Sequence, residues 1–319
     1  MSHRVLLITD ARCDRHAAPG HPERPDRRKA VAAGVRDAAG ERLEERPALP
    51  VDGEVVARVH DRDYLAALDR LDRDGGAWLD PDTYLVPGSL EAARLAAGAT
   101  VAAAEAAGSG AAEVAFAVIR PPGHHASAGH AGGFCLLNNV AVAAAALRGA
   151  GRAGRLAIVD WDVHHGDGTQ AIFDADPDLC YASTHQSPLY PGTGAAGDAG
   201  SGPAAGTKHN RPLAPGSGDD AFVEAWRDEL LPAVEAFAPE AILVSAGYDA
   251  HRADPLAHLE VTEAGYEAVA RLLGAASARL GLPGVALTLE GGYDLHALRA
   301  SAAATVRGLL AGRAEAVSG

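Results

Sequence analysis

The sequence has few cysteines and no long apolar runs, and each shortage excludes a class of protein. Only Cys13, Cys135 and Cys180 occur among 319 residues, which argues against a disulfide framework and favours a reducing compartment. No run approaches the roughly 20 uncharged apolar residues of a membrane helix, because Arg, Glu and Gly interrupt the alanine-rich stretches. The first ten residues contain the strand-like segment VLLIT and show no signal-peptide pattern. We therefore expect a soluble, cytoplasmic protein with no membrane association.

Positive charge is also scarce. The 28 Lys and Arg residues are outnumbered by 42 Asp and Glu residues, and the net charge is −14. Such a surface disfavours nucleic acid as a direct partner and attracts cationic substrates. Many soluble proteins are acidic without having a cationic partner, so the charge by itself leaves both interpretations open.

Short apolar runs alternate with helical patterns along the whole chain. Six runs bounded by Gly, Pro or polar residues predict strands at Val5–Thr9, Val114–Ile119, Leu156–Val159, Leu179–Ser183, Ala241–Ser245 and Val285–Leu289. Longer segments predict helices at Pro25–Ala38, Leu90–Ala107, Asn139–Leu147, Ala221–Phe237, Thr262–Leu280 and His296–Leu310. The alternation is typical of a parallel sheet covered on both faces. With no internal repeat and no domain boundary, residues 1–319 are expected to form one α/β domain.

One stretch departs from this alternation. Ser187 to Asp220 is rich in Gly, Pro and Ala and has no periodic pattern. A loop of that length within a compact domain is usually a linker or part of a functional rim. A short irregular strand beginning near Asn210 is the one element that we consider within it.

Polar residues cluster directly after five of the predicted strands. These segments are Arg120–His125, Asp160–Asp167, Ser183–His185, Ala246–Asp249 and Glu290–Tyr293. In open parallel sheets, ligands bind outside the carboxyl ends of the strands. We therefore expect the five segments to converge on one functional site at that edge.

The segment that begins at Asp160 predicts a metal site. Alternate residues of an extended backbone share one face, so Asp160, Asp162 and His164 would lie together. Two buried carboxylates beside an imidazole require a compensating cation, and Asp249 can supply a third ligand from a neighbouring strand. Two oxygens, one nitrogen and an open position for water describe a catalytic metal site. The alternative, solvated loop residues with unrelated roles, is disfavoured by the convergence of the other polar segments.

Three further side chains are suited to acid–base chemistry beside that metal. His124 and His125 would flank a metal-bound water, and the spare acids Asp160 and Asp167 would orient their Nδ1 atoms. A histidine with a carboxylate behind it suits general base or general acid work near neutral pH. Tyr293, after two glycines, could donate its hydroxyl to the oxyanion of a tetrahedral intermediate.

These segments together resemble a known superfamily. RPPGHHA, GFCLLNNVAVAA, VDWDVHHGDGTQ, SAGYDAHRADPL and LEGGYDL look like the motifs of the histone deacetylase and acetylpolyamine amidohydrolase superfamily, as do HPERPDR and VHDRDYL near the start. The similarity runs from about His21 to Leu295 and is closer to the class II and bacterial members. It implies a single arginase-like α/β domain with a central eight-stranded parallel sheet flanked by helices, and one zinc ion.

The resemblance also assigns roles to individual residues. The zinc ligands that it implies are Asp162, His164 and Asp249. It pairs His124 with Asp160, makes His125 the general base and acid paired with Asp167, and makes Tyr293 the group that polarises the acetyl carbonyl. The ligands that it implies for a structural potassium ion are Asp160, Asp162, His164, Ser183 and Thr184. The substrate tunnel that it implies contains Gly133, Phe134, Tyr190 and Leu256, with Asp82 at the rim. Tyr190 departs from the pattern, because many relatives have Phe there.

The expected reaction is hydrolysis of an N-acetyl amide on a cationic amine. Acetyl-lysine in a protein or peptide is the substrate that we expect, since Leu256 stands where polyamine-selective relatives have Glu. An acetylpolyamine or another small acetylated molecule is the alternative, with Asp80 and Asp82 as the nearest rim acids. A binding module that does not cleave acetyl-lysine, and a binuclear manganese ureohydrolase that would use His165, are the remaining alternatives. The sequence leaves the oligomeric state open.

Overall fold

The computed structural model describes residues 4–318, which are built around an eight-stranded parallel sheet. The strand order is β2-β1-β5-β10-β9-β6-β7-β8. These strands are β1 Val5–Ile8, β2 Leu43–Arg46, β5 Val114–Ala117, β6 Leu156–Asp160, β7 Leu179–Gln186, β8 Lys208–Leu213, β9 Ala241–Ala246 and β10 Val285–Leu289. A separate antiparallel hairpin consists of β3 Ala77–Trp78 and β4 Tyr84–Leu85. The expected eight-stranded parallel sheet is confirmed.

Helices cover both faces of the sheet. They are α1 Pro25–Ala39, α2 Gly53–Val56, α3 Arg62–Arg73, α4 Ser89–Gly108, α5 Asn139–Gly149, α6 Asp167–Phe173, α7 Asp219–Glu224, α8 Leu231–Phe237, α9 Glu263–Arg279 and α10 Leu295–Ser318. Helices α1, α9 and α10 pack together, as do α4 and α5. Among the described residues, no helix is both long and apolar enough to cross a bilayer.

The alternation of side chains along each strand divides the core into two apolar layers. Val5 and Leu7 of β1 belong to one layer, whereas Leu6 and Ile8 belong to the other. Both layers are buried because helices lie on either side of the sheet, which explains why most positions of the central strands are apolar. The cysteines are also buried, and they form no disulfide within residues 4–318.

The borders of the sheet were the hardest part to predict. Strand β2, with the sequence LEER, was missed, whereas β8, which contains Lys208 and Pro212, agrees with the short irregular strand considered near Asn210. Both are edge strands, where charged residues and proline are tolerated because one side of the strand has no neighbour. The hairpin β3–β4 and the helices α2, α3 and α6 were not predicted either. The helix expected at Ala221–Phe237 contains a π-helical segment at Ala225–Leu230 between α7 and α8.

The sheet places the five polar segments side by side. The strands that carry them, β5, β10, β9, β6 and β7, are consecutive neighbours in the sheet, and all of them are parallel. Ser183–His185 lies within β7, because this strand extends to Gln186. The segments therefore leave the same edge next to one another. This confirms the expected convergence and locates the candidate site outside the carboxyl ends of the five strands.

Candidate active site

Asp162, His164 and Asp249 form a compact ligand cluster beyond β6 and β9. One potential ligand atom from each lies within 4.8 Å of the other two. His164 Nδ1 is 3.1 Å from Asp162 Oδ1 and 3.2 Å from Asp249 Oδ2. Both carboxylates are buried. The arrangement brings together the three residues that the sequence predicts as metal ligands.

Backbone amides from neighbouring segments orient the two carboxylates. Asp162 accepts hydrogen bonds from the amides of His164 at 2.9 Å and Gly291 at 2.7 Å. Asp249 Oδ1 accepts from the Val163 amide at 2.9 Å. A Cβ added to Gly291 would lie 2.0 Å from Asp249 Oδ2, so only glycine allows this close approach. The ligands are therefore fixed by the strand ends around them.

The electrostatics of the cluster favour a bound cation. Burial and the charge of Asp162 raise the pKa of Asp249. Although burial opposes protonation of His164, the adjacent carboxylates of Asp162 and Asp249 raise its pKa to about 10. Within residues 4–318, Asp249 Oδ2 is buried without a hydrogen-bond partner. An orphaned carboxylate oxygen beside a second carboxylate and an imidazole fits a divalent metal, and the oxygen and nitrogen donors suit zinc.

Each of the two adjacent histidines has the predicted carboxylate partner. His124 Nδ1 donates to Asp160 Oδ2 at 3.1 Å, and His125 Nδ1 lies 2.7 Å from Asp167 Oδ1. Burial lowers the pKa of His125 to about 3, assisted by the charge of His124. In contrast, the carboxylates of Asp162 and Asp160 outweigh burial and raise the pKa of His124. A neutral His125 can accept a proton from water, and a charged His124 can stabilise negative charge nearby.

Tyr293 lies at the end of the glycine-containing loop after β10. The phenol is nearly buried, and burial raises its pKa well above the ordinary value, so it keeps its proton and can donate a hydrogen bond. Its ring packs edge-on against Phe134 at a centroid distance of 6.0 Å. The guanidinium of Arg27 lies 4.8 Å from the ring centroid on one face. These contacts hold the phenol within the same pocket as the ligand cluster.

The predicted tunnel residues line a cavity of about 400 Å³ that leads to this cluster. Its walls include Gly133, Phe134, Tyr190, Leu256 and Asp82. Gly133 and Phe134 both have a positive φ, and a Cβ on Gly133 would lie 2.3 Å from the His125 ring. Tyr190 packs edge-on against that ring at a centroid distance of 5.0 Å and is 47% exposed. The cavity therefore has an apolar wall beside the histidines and an acidic group near its mouth.

Of the predicted potassium ligands, Asp160 is the last residue of β6, Asp162 and His164 follow it, and Ser183 and Thr184 lie in the second half of β7. Asp160 is paired with Ser183 in the register of the two strands, and both are buried. The Thr184 hydroxyl accepts a hydrogen bond from Trp226 Nε1 at 3.1 Å, and the Ser183 hydroxyl is bonded to His185 Nδ1 at 3.0 Å. The structure thus places Ser183 beside Asp160, whose carboxylate accepts a hydrogen bond from the Asp162 amide at 3.2 Å, and the role of these residues in binding potassium stays a prediction.

Sequence reasoning missed the groups that hold the loops of the site. The buried carboxylate of Glu290 accepts from the amides of Gly123 and His124 and from the Ser245 hydroxyl. Arg27 donates to the carbonyls of Glu290 and Gly292. Glu and Arg are buried only when they are paired, so the charged residues of LEGGYDL and HPERPDR offered a signal, but the sequence does not show their partners.

Comparisons with known proteins agree with this geometry. The family model described as the histone deacetylase domain matches residues 21–309. Histone deacetylase 15 of Arabidopsis thaliana is 40% identical over 302 residues, which cover 92% of this chain and 53% of that protein. The histone deacetylase-like amidohydrolase of Pseudomonas aeruginosa is 39% identical, with coverage of 92% of this chain and 77% of the relative. The chain thus spans about half the length of the plant relative.

A solved structure supports the same assignment. The crystal structure of the HDA15 HD domain superposes with a TM-score of 0.90 at 39% sequence identity, covering 97% of this chain and 90% of that one. This identity is high enough for the likeness to reflect shared ancestry together with a shared α/β architecture. The family match, the two relatives and the fold lead to one conclusion. The chain belongs to the histone deacetylase family of deacetylases and amidohydrolases.

Proposed function

We propose that the protein is a zinc-dependent deacetylase that hydrolyses the N-acetyl amide of acetyl-lysine side chains in proteins or peptides. The observation that carries the proposal is the cluster of Asp162, His164 and Asp249 at the base of a narrow cavity. His125 and Tyr293 line that same cavity. The metal ligands, the proton-transfer group and the oxyanion donor are therefore all within reach of one substrate.

Zinc held by these three residues would supply Lewis acidity toward the acetyl carbonyl and lower the pKa of a bound water. His125 is neutral and oriented by Asp167, so it can take a proton from the attacking water and return it to the leaving amine. The Tyr293 hydroxyl donates to the oxygen of the carbonyl as negative charge develops there. The products would be acetate and a free amine. We further propose a structural potassium ion held by the ends of β6 and β7.

Two other functions fit less well. A module that only binds acetyl-lysine has no need of a histidine–carboxylate pair, a phenol and an unpaired ligand oxygen in one cavity. A binuclear ureohydrolase requires more ligands, with His165 as the nearest additional histidine. Both ring nitrogens of His165 are already engaged, by Thr193 Oγ1 at 2.8 Å and Gln170 Oε1 at 2.9 Å. The site therefore supports hydrolysis with one catalytic metal.

The cavity wall favours a lysine side chain over a polyamine. Leu256 lines the cavity and is 36% exposed, which provides an apolar surface for the methylene groups of lysine. A polyamine carries additional ammonium groups, which an acid at this position would pair with. Asp82 is the rim acid that could serve a polyamine instead, and it makes acetylspermidine the second candidate substrate.

We expect a higher kcat/KM for acetyl-lysine peptides than for acetylspermidine, and we expect Leu256→Glu to shift this ratio toward the polyamine. The new carboxylate would attract the distal ammonium groups and remove apolar contact with the lysine stem. The measurement is acetate release from both substrates at matched concentrations. Leu256→Gln is the matched control, because it has nearly the same size as Glu without the charge.

If the wild type strongly preferred acetylspermidine, small acetylated amines would replace acetyl-lysine as the proposed substrate class. An unchanged ratio in Leu256→Glu would show that Leu256 does not discriminate between the substrates. If the Gln variant shifted the ratio as much as Glu, polarity would be responsible and charge would not.

A further inference from the structure

The carboxylate of Asp254 connects two parts of the active site that are far apart in sequence. One oxygen accepts a hydrogen bond from the Leu256 amide at 3.0 Å, and the other accepts from the Tyr293 amide at 2.7 Å. Asp254 is only 7% exposed. Both of its partners line the cavity. A single side chain therefore holds a wall residue and the phenol-bearing residue in a fixed relation.

The backbone before Tyr293 is flexible, so a hydrogen bond is needed to fix it. Two glycines precede it, and Gly292 has a φ of 112°, a conformation that other residues rarely adopt. Arg27 holds the carbonyls of Glu290 and Gly292, but it leaves the amide of Tyr293 free. The hydrogen bond from that amide to Asp254 fixes the peptide unit from which the phenol extends.

The hydrogen bonds to Asp254 are strong because their acceptor is a buried carboxylate. Hydrogen bonds from amides to a carboxylate are stronger than those between neutral groups, and a buried carboxylate requires such partners. A misplacement of about 1 Å in an active site can lower the rate about 10²-fold. Loss of the hydrogen bond to the Tyr293 amide would therefore allow the phenol to move relative to the substrate stem.

We propose that Asp254 is a positioning residue that acts through Tyr293. Its hydrogen bonds fix the position of the phenol relative to Leu256 in the cavity wall. This inference rests on the proposed function, because it assigns Asp254 a part in the same hydrolysis. Asp254 does not itself line the cavity in the way that its two partners do, so its effect should pass through them.

The test is a double-mutant cycle with Asp254→Asn and Tyr293→Phe, assayed on an acetyl-lysine peptide. Asn has the size of Asp, but its one carbonyl oxygen replaces only one of the two acceptors. We expect Asp254→Asn to lower kcat about 10- to 100-fold in the wild type, with KM changed less than about threefold. In the Tyr293→Phe background, where the hydroxyl is absent, we expect a further loss of less than about threefold.

Glu240→Gln is the matched control. Glu240 also accepts from two backbone amides, those of Gly154 and Arg155, but it is exposed and lies beside the amino-terminal ends of the strands. Its substitution should leave kcat unchanged. Asp254→Glu provides a second variant, which keeps the charge and both acceptors but displaces them, and the same dependence on Tyr293 is expected of it.

A second readout does not require activity. With fluorotyrosine incorporated at the seven tyrosines, the resonance that disappears in Tyr293→Phe belongs to Tyr293. We expect Asp254→Asn to shift that resonance and Glu240→Gln to leave it in place. Wild-type kcat in Asp254→Asn, an equal loss in both tyrosine backgrounds, or an unmoved resonance would each overturn the inference. A wild type that hydrolyses no acetylated amine would refute the proposed function alone, since the resonance still reports the position of the phenol.

Discussion

Replacing Asp249 with alanine should leave the purified protein without zinc and without measurable deacetylase activity. Asp249 supplies the buried oxygen that has no hydrogen-bond partner within residues 4–318, and its loss leaves a ligand pair, Asp162 and His164, that binds zinc weakly. Elemental analysis should find about one zinc per wild-type chain and almost none in the variant. Exhaustive chelation of the wild type should abolish activity, and added zinc should restore it.

Asp228→Ala is a suitable control for this experiment. Asp228 is exposed and forms an ion pair with its neighbour Arg227, so its removal should change neither zinc content nor rate. Two metal ions per wild-type chain, or full activity after exhaustive chelation, would contradict the assignment of one catalytic zinc ion. Zinc retained at wild-type level in Asp249→Ala would contradict the ligand set.

Tyr293→Phe should lower kcat about 10²- to 10³-fold while KM changes little. Removal of one oxyanion donor typically has an effect of this size, and the interaction strengthens as charge develops on the carbonyl oxygen. The burial that raises the pKa of Tyr293 keeps the phenol protonated, as a donor must be. Steady-state kinetics on an acetyl-lysine peptide give both constants. His125→Ala should lower kcat at least as far, because it removes the proton-transfer group.

The matched control for the phenol is Tyr248→Phe. The Tyr248 hydroxyl is also buried, but it is bonded to Thr305 at 3.3 Å and does not line the cavity. We expect kcat of this variant within about threefold of the wild type. Equal losses in Tyr248→Phe and Tyr293→Phe would indicate general damage, and a Tyr293→Phe variant with wild-type kcat would show that the phenol acts elsewhere.

The central strands and the clustering of the candidate site residues could be predicted from the sequence because both leave local signals. Strands β5, β6, β9 and β10 are apolar at nearly every position, since helices bury both faces of the sheet. The reactive residues stand directly after these strands, where a parallel sheet collects them on one edge. Asp160, Asp162 and His164 follow one another at the carboxyl end of β6, which was enough to predict that they lie in one site, although the strand ends at Asp160.

The supporting residues were less predictable because their roles depend on distant partners. Glu290 bonds to the amide of His124, and Asp254 bonds to that of Tyr293, across long separations in sequence. No local pattern identifies which backbone amide a carboxylate will meet. The edge strand β2 was missed, and β8 was expected only as a short irregular strand near Asn210, because strands with one free side do not need an apolar sequence.

The strand order has a consequence for how activity is acquired during folding. Val114 of β5 lies beside Val285 of β10, and β9 with Asp249 is inserted next to β6 although a long stretch of chain separates them. Such non-local pairing makes sheet assembly slow, because distant segments must meet before their contacts stabilise them. A nascent chain or a fragment that ends before β10 lacks Tyr293 and cannot complete the ligand cluster against Gly291. The proposed catalysis should therefore begin only after the last strand has been inserted.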